Sequence, residues 1–345
     1  MRASASELAD RLAQNAEAVC RHYLSAGRRA GNYWIAGDVG NSKGRSLYVH
    51  LSGPRRGRWA DEATAQFGDL LDLVRETCGL VDFRDVADEA RRFLSLPNPE
   101  PLRSAGSDSS RPVGGLCASE RARRLFAMSR PLQGTLAEGY LRHRGIVRAA
   151  LHGSLRFHPS CYYRDLTTGA TSAFPALIAA VTDAAGMITG VHRTSLDPGG
   201  SGKAPVDNPR RSLGGLLGNA VRFSFPTTGP VPIMAAGEGT ETMLSLNTVM
   251  PAMPVVAALS ANHLAAFRFP AGCARLYIAA DADAAGRHGV DRLSRRAQAA
   301  GLLPLVLSPE LGDFNEDLRW LGPDRLMARL REQLIPEDAM ALLLT

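Results

Sequence analysis

Two stretches decide the fold: Ile233-Met234-Ala235-Ala236-Gly237-Glu238-Gly239-Thr240-Glu241 and, further along, Leu276-Tyr277-Ile278-Ala279-Ala280-Asp281-Ala282-Asp283-Ala284-Ala285-Gly286. In each, an apolar run with the length of a buried strand stops at carboxylates and glycine, then gives way to a helical pattern. Acidic groups at the C-terminal ends of parallel strands converge on one edge of an α/β sheet, the edge where such folds place their sites. Carboxylates gathered without basic partners repel one another and persist where a divalent cation neutralises them. The chemistry that needs such a cluster is phosphoryl transfer on nucleotides or nucleic acids, with one or two magnesium ions clamping the attacking and leaving oxygens. A lone Asp-x-Asp is more often structural. Here it stands beside a second acidic strand end and a third acidic run, Gly312-Asp313-Phe314-Asn315-Glu316-Asp317, for which helix N-capping is the competing reading.

Around these stretches, strands are expected at 231–236, 254–259, 274–280 and 303–307, alternating with helices at 240–249, 262–267, 285–300 and 323–334. Alternation of this kind predicts an α/β domain over 230–345, a parallel sheet flanked by helices. Upstream, helices at 119–128 and 135–144 and a hairpin of 174–182 with 187–195, turned at Asp183-Ala184-Ala185-Gly186, predict an α+β subdomain over 119–229. Residues 97–118 are rich in Pro, Ser and Gly and read as a linker. Before it, residues 1–96 predict a small α+β module. It has a helix over 4–27, three short strands at 33–38, 46–51 and 57–61, and helices at 69–78 and 82–95, with Asp69 as N-cap.

The chain has 345 residues and a formal charge of +6, and Lys43 and Lys203 are its only lysines. Arginine forks suit phosphate and base recognition, although an Arg- and Ala-rich composition is also what a GC-rich genome imposes. The informative fact is placement: basic residues cluster at Arg55–Arg58, Arg121–Arg124 and Arg210–Arg222, away from the acidic strand ends. Five cysteines lie far apart with no Cys-x-x-Cys pair, so neither a disulfide framework nor a structural zinc site is expected. No apolar run has the length of a membrane span and the N-terminus lacks the blocks of a signal peptide, so a cytoplasmic protein without membrane partners is expected.

The C-terminal block resembles a Toprim domain, the catalytic fold shared by bacterial-type primases, type IA and II topoisomerases and several nucleases. Glu238-Gly239 matches its glutamate motif, and Asp281-Ala282-Asp283-Ala284-Ala285-Gly286 its Asp-x-Asp motif. Within that superfamily the chain is similar to the primases of plasmids, phages and integrated elements. Leu136-Ala137-Glu138-Gly139-Tyr140-Leu141-Arg142-His143-Arg144-Gly145-Ile146 resembles the segment that opens their catalytic core. Gly190-Val191-His192-Arg193-Thr194, with Gly202-Lys203-Ala204 and Leu213-Gly214, resembles the region before their Toprim domain. Gly57-Arg58-Trp59-Ala60-Asp61 followed by Gly68-Asp69-Leu70-Leu71-Asp72 resembles the end of a primase zinc-binding module, although His50 is the only candidate zinc ligand over 35–65. A zinc-less version of that module is therefore expected.

The resemblance implies that Glu238 is a general acid/base or metal ligand and that Asp281 and Asp283 hold metal, two magnesium (or manganese) ions in all, with Asp313 and Glu241 as further ligands. An exposed first-turn acid is the alternative for Glu241. It also implies that Arg193, Lys203, Arg210, Arg211 and Arg222 meet a nucleoside triphosphate or the template backbone. Arg55, Arg56 and Arg58 with Trp59 and Tyr48 combine charge with stacking surface suited to single-stranded DNA, a core role being the alternative for Trp34 and Trp59. Asp197-Pro198-Gly199-Gly200-Ser201-Gly202-Lys203-Ala204-Pro205 has no leading glycine, no Ser or Thr after the lysine and a proline against the required helix, so it is a flexible basic loop rather than a P-loop. The activity expected is primer synthesis on a single-stranded DNA template from nucleoside triphosphates, with a replicative helicase as partner. A Toprim nuclease and a catalytically inert replication protein are the alternatives.

Overall fold

The N-terminal apolar pattern breaks at Asn15, so the single expected helix is two, α1 (Ala5–Gln14) and α2 (Ala16–Tyr23). Asn15 turns its amide back onto the Arg11 carbonyl at 2.9 Å, the local competition with the helix ladder that this residue type offers. The computed structural model describes residues 5–61, 66–80, 83–94, 118–164, 170–200, 202–206, 208–226, 228–280 and 284–343. The chain divides into two units, Met1–Cys117 and Ala118–Thr345. Apart from Ala118, the expected linker lies outside the described residues.

In the first unit five antiparallel strands follow in sequence order, β1 (Arg28–Ala30), β2 (Tyr33–Ala36), β3 (Leu47–His50), β4 (Trp59–Asp61) and β5 (Gln66–Gly68). Three were expected; β1 and β5 are three-residue edge strands too short to show a period. Alternation places Trp34, Ala36, Leu47, Val49 and Trp59 in a core shared with α1, α2, α3 (Leu70–Cys78) and α4 (Phe83–Phe93). Asp69 caps α3 by accepting from the amides of Leu71 and Asp72, and Asp72 accepts in return from the Asp69 amide, a reciprocal box worth about 1 kcal/mol. The helix ends at Gly79, which is left-handed at φ 62°.

The second unit begins with α5 (Ala118–Met128), the two-residue β6 (Arg130–Pro131) and α6 (Leu136–His143). Three long strands follow: β7 (Leu155–Arg164), β8 (Thr171–Thr182) and β9 (Ile188–Ser195). The last two form the expected hairpin, while β7 hides behind Pro159 and an irregularity in pairing between His158 and Cys161. Next come β10 (Arg210–Gly214), β11 (Ala220–Phe223), β12 (Ile233–Gly237), α7 (Thr240–Val249) and β13 (Val255–Ala257). After them come α8 (Ala261–Ala266), β14 (Arg275–Ala279), α9 (Ala284–Ala299), β15 (Leu303–Leu307), the single turn α10 (Phe314–Glu316), α11 (Pro323–Gln333) and α12 (Pro336–Leu343).

One sheet of ten strands runs through this unit in the order β10-β9-β8-β11-β13-β12-β14-β15, with β7 and β6 joined at β8. The last four positions are parallel, as the alternation predicts, and β11 joins them to the antiparallel part by pairing with β8 on one side and β13 on the other. The sheet thus passes without a break from the α+β region into the α/β region. Helices α6, α7, α11 and α12 pack on one face around Tyr277, Leu244, Leu330 and Leu342. Helices α8 and α9 cover the other around Phe267, Ile278 and Leu293. Tyr277 and Arg275 tie α12 to β14 by donating to the buried Asp338 carboxylate at 2.7 Å and 2.6 Å. Among the described residues no helix is long and apolar enough to cross a membrane.

Candidate active site

Glu238 leaves the C-terminal end of β12 half-buried and one residue before the N-cap of α7. Two backbone bonds fix this end: Gly237 and Glu238 accept at their carbonyls from the amides of Ala258 and Leu259, each at 2.8 Å. Leu259 pays for that turn with a left-handed φ of 78°, a backbone region that a bulky side chain rarely enters. Gly237 is required by close approach, since a Cβ there would meet Met243 Sδ at 2.4 Å and Ala279 Cβ at 3.0 Å. Strand β14 runs parallel beside β12 with Ala236 opposite Ile278, so the two strands end together. Asp281 and Asp283, which follow β14 in sequence, lie outside the described residues.

Glu241, expected as a further metal ligand, is buried among protein partners. Its carboxylate is 8% exposed, accepts from the Tyr140 hydroxyl at 2.7 Å and faces Lys203 Nζ at 3.4 Å. Burial alone would raise its pKa, but Lys203, the Tyr140 hydroxyl and Arg210 together bring it down to about 2. Lys203 and the Tyr140 hydroxyl are thus the protein partners of this charge. Burial also raises Tyr140, with the Glu241 charge adding to it, so this hydroxyl keeps its proton. Lys203 is lowered by burial, opposed by Glu241. Lys203 also bears repulsion from Arg210 and Arg144.

The third acidic run is structural in part. Asp313 caps α10 by accepting from the Glu316 amide at 2.7 Å, and Glu316 accepts in return from the Gly312 amide at 3.1 Å. Asp317 is buried and accepts from the amides of Glu310 and Leu311, both at 2.8 Å. Asn315, 1% exposed, joins the site: its amide donates to the Arg144 carbonyl at 2.8 Å and to Ser245 Oγ at 2.9 Å, while Arg144 donates back to its oxygen at 3.0 Å. Ser245 Oγ in turn donates to the Glu241 carbonyl at 2.8 Å. Tyr140 on α6 and Arg144 at its C-terminal cap, Lys203 in the basic loop, Glu241 and Ser245 on α7, and Asn315 on α10 thus form one polar network. Among the described residues no three His, Cys, Asp or Glu side chains gather as a metal cluster.

The basic residues are sorted by strand alternation. Arg210 pairs with Thr194 and Ser212 with His192, and this side of the β9–β10 ribbon carries the charges felt by Glu241. His192, bonded to Ser212 at 3.0 Å, is held at about 4 by burial and by Arg210, so it is neutral at pH 7. Arg193 and Arg211 pair on the other side, where Arg211 stacks over the Tyr163 ring at 4.2 Å. Arg222 is elsewhere again, donating to Thr182 and to the Ala220 carbonyl. The expected basic set is therefore split, with Lys203 and Arg210 beside Glu241 and the other three apart from it. The basic loop is closed by a bridge between Leu196 and Lys203 and by Asp197 donating to the Gly202 carbonyl at 3.0 Å.

In the first unit, Arg55 and Arg58 are exposed and Arg56 donates to the Gln14 carbonyl. Trp59 is corrected: it is 3% exposed and its indole donates to the Asp69 carbonyl at 2.8 Å, so it is a core residue and no base platform. Instead Tyr33, Tyr48 and His50 form the aromatic cluster on the opposite face of the sheet, with ring centroids 4.9 to 6.0 Å apart. Phe67, opposite Ala60, is 59% exposed on the same face.

Two family models match parts of the chain. Residues 233–324 match the Toprim domain model, and residues 117–223 match a domain of unknown function, DUF7146. No curated protein matches the chain. Among solved structures it is similar to the zinc-binding and RNA polymerase domains of the Aquifex aeolicus primase, at 16% identity and a TM-score of 0.42 over 97% of this chain and 86% of that one. A DNA primase domain from Pseudomonas aeruginosa matches at 17% identity and 0.45, over 63% and 78%. The primase fragment of the bacteriophage T7 primase-helicase matches at 13% and 0.37, over 88% and 100%. The α/β part of this chain, with Glu238 at its sheet edge, is a Toprim domain.

Proposed function

We propose that the chain is a DNA primase that makes short primers on single-stranded DNA, in the replication of a mobile element. The supporting observation is the ion pair that holds Lys203, from the region before the Toprim domain, onto the helix that follows Glu238, with the positive charge of the exposed Arg210 acting on the same carboxylate. A nuclease needs acids and a water; a polymerase must also hold a triphosphate, and cations fixed against the acid helix serve that need.

Glu238, Asp281 and Asp283 supply hard oxygen donors, the type magnesium takes, and Glu238 stands where β12 and β14 end side by side. Magnesium held by these residues supplies charge neutralisation on the phosphates and activation of the attacking hydroxyl. In the reaction a primer 3′-hydroxyl attacks the α-phosphorus of a nucleoside triphosphate, the new phosphodiester forms, and pyrophosphate leaves. Lys203 and Arg210 bind the triphosphate. Tyr140 and Glu241 hold Lys203 in place, and Arg144 and Asn315 hold α6 against α7. In the first unit, the Tyr33–Tyr48–His50 face with Arg55 and Arg58 receives the template strand by stacking and charge, and a replicative helicase is the partner that delivers it.

Asp281→Ala with Asp283→Ala should abolish template-directed primer synthesis while leaving the circular dichroism unchanged. Primer synthesis undiminished by these substitutions, or magnesium-dependent cleavage of labelled single-stranded DNA without nucleotides, would refute the assignment.

A further inference from the structure

A cavity of about 400 Å³ opens at the other end of α7 from Glu238. Helix α7 has ten residues, so its length separates the two places by about 15 Å. The cavity is bordered by the turn at Arg148–Ser154, by β11 and the residues after it, and by the C-terminal end of α7 at Asn247 and Pro251. Strand register confirms the placement: Phe223 at the end of β11 lies opposite Val255, the first residue of β13, whereas Glu238 follows the last residue of the parallel neighbour β12.

Its chemistry is one-sided. Arg148 and Arg222 bring two guanidinium groups to the wall and no carboxylate lines it. Arg148 is exposed, and among the described residues its guanidinium has no protein partner. Arg222 is held from behind, with Nη1 donating to Thr182 Oγ1 at 2.9 Å and to the Ala220 carbonyl at 3.3 Å, and its Cζ lies 5.7 Å from the centroid of the Phe225 ring. Ser154 Oγ is buried at the wall without a hydrogen-bond partner. Ser224 is left-handed at φ 54°, and its hydroxyl is steadied by the buried Asn247 amide at 3.0 Å. His152, packed edge-on against Phe223 at 5.1 Å, is kept neutral by burial and adds a polar atom that carries no charge of its own. The partial negative charge at the end of α7 is about half an electron, outweighed by two whole cations.

Guanidinium forks, hydroxyls and a neutral imidazole recognise a phosphoryl group, and Phe225 offers a flat apolar surface beside it. The volume falls within the range of small-molecule sites. We propose that this cavity binds a free nucleoside phosphate, apart from the acidic sheet edge. The concave wall favours a small ligand over a continuous strand.

The test is calorimetric titration of the full chain with a nucleoside 5′-monophosphate in the absence of divalent cations. Saturable binding is expected, weakened at least about tenfold by Arg148→Glu, the loss of one good charged contact, and unchanged by Glu238→Gln. Arg148 is exposed at a turn, so the variant folds; unchanged circular dichroism checks this. No saturable binding, binding indifferent to Arg148→Glu, or equal binding of the unphosphorylated nucleoside would each overturn the proposal. An oligonucleotide that binds through Arg148 while the mononucleotide does not would replace it with a backbone contact. None of these outcomes depends on primer synthesis, so the proposal stands or falls separately from the assigned reaction.

Discussion

Lys203 Nζ and Glu241 Oε1 lie 3.4 Å apart in the interior of the second unit, joining the loop between β9 and β10 to the helix that follows the Toprim glutamate. The Tyr140 hydroxyl donates to the same oxygen at 2.7 Å. An ammonium, a phenol and a carboxylate from three separated sequence segments thus fix one another's positions. The pair links the basic loop, proposed above to meet phosphate, to the helix that follows Glu238.

Removing one partner of a buried pair strands the other, at a cost of about 3–5 kcal/mol. Lys203→Met should therefore destabilise the second unit by an amount near the lower end of that range, since the lysine side chain is 25% exposed. Glu241→Gln keeps the Tyr140 bond and should cost less. If Glu241 acts by positioning Lys203, Glu241→Gln raises KM for nucleoside triphosphate about tenfold, equivalent to about 1.4 kcal/mol, with kcat and the magnesium requirement little changed. A shifted magnesium requirement with unchanged KM would return Glu241 to the metal site.

The same pair sets an acid limit. Glu241 has a folded pKa of about 2 against an ordinary 4.5, so its contribution is fully present above pH 4.5 and is lost as pH falls from 4.5 toward 2. Wild type should be more stable than Glu241→Gln at neutral pH, and the difference should shrink across that window. Chemical unfolding at a series of pH values measures it; a difference independent of pH would mean that Glu241 is not ionised in the fold.

Much of this arrangement was legible in the sequence. The parallel strands β12 to β15 and their helices show because buried strands in α/β folds are nearly continuous apolar runs between glycine and helix signals. Strand β7 was not, because Pro159 and the paired irregularity beside it break the period. The site was legible as segments but not as partners. Tyr140, Lys203, Glu241 and Asn315 all stand in recognisable stretches, yet that Glu241 meets Lys203 depends on which side of α7 faces the loop. Asn315 was read as a neighbour of an acidic cluster, and only the contact between α6 and α10 reveals it as the residue joining Arg144 to Ser245. The split of the basic set into Lys203 and Arg210 on one side and Arg193 and Arg211 on the other follows from strand period two, which was readable only once β10 was identified as a strand.

Asn315 tests that contact. Its amide donates twice and its oxygen accepts once in a place 1% exposed, so Asn315→Leu leaves Ser245 Oγ and the Arg144 carbonyl without their donor. A loss of about 1–3 kcal/mol is expected for buried groups left unmatched. Thermal unfolding reads it, and a neutral substitution would show that α6 and α10 are held by apolar packing alone.

The two aromatic faces of the first unit make opposite predictions. Trp59 is enclosed by the core, so Trp59→Ala should cost about 3–5 kcal/mol and unfold this unit. Tyr33 is 40% exposed, and Tyr48 and His50 lie with it on the far side of the sheet, so Tyr33→Ala and Tyr48→Ala should leave the thermal midpoint nearly unchanged. If this face stacks bases, each substitution should weaken binding of a single-stranded oligonucleotide by about 1–3 kcal/mol, with Arg55→Ala reducing the salt dependence. Fluorescence anisotropy over a salt series separates the contributions, because stacking changes affinity at every salt concentration while phosphate contacts change the slope. Oligonucleotide affinity that survives both tyrosine substitutions would leave the arginine turn as charge without a stacking surface, and the template would then have to be received by the second unit.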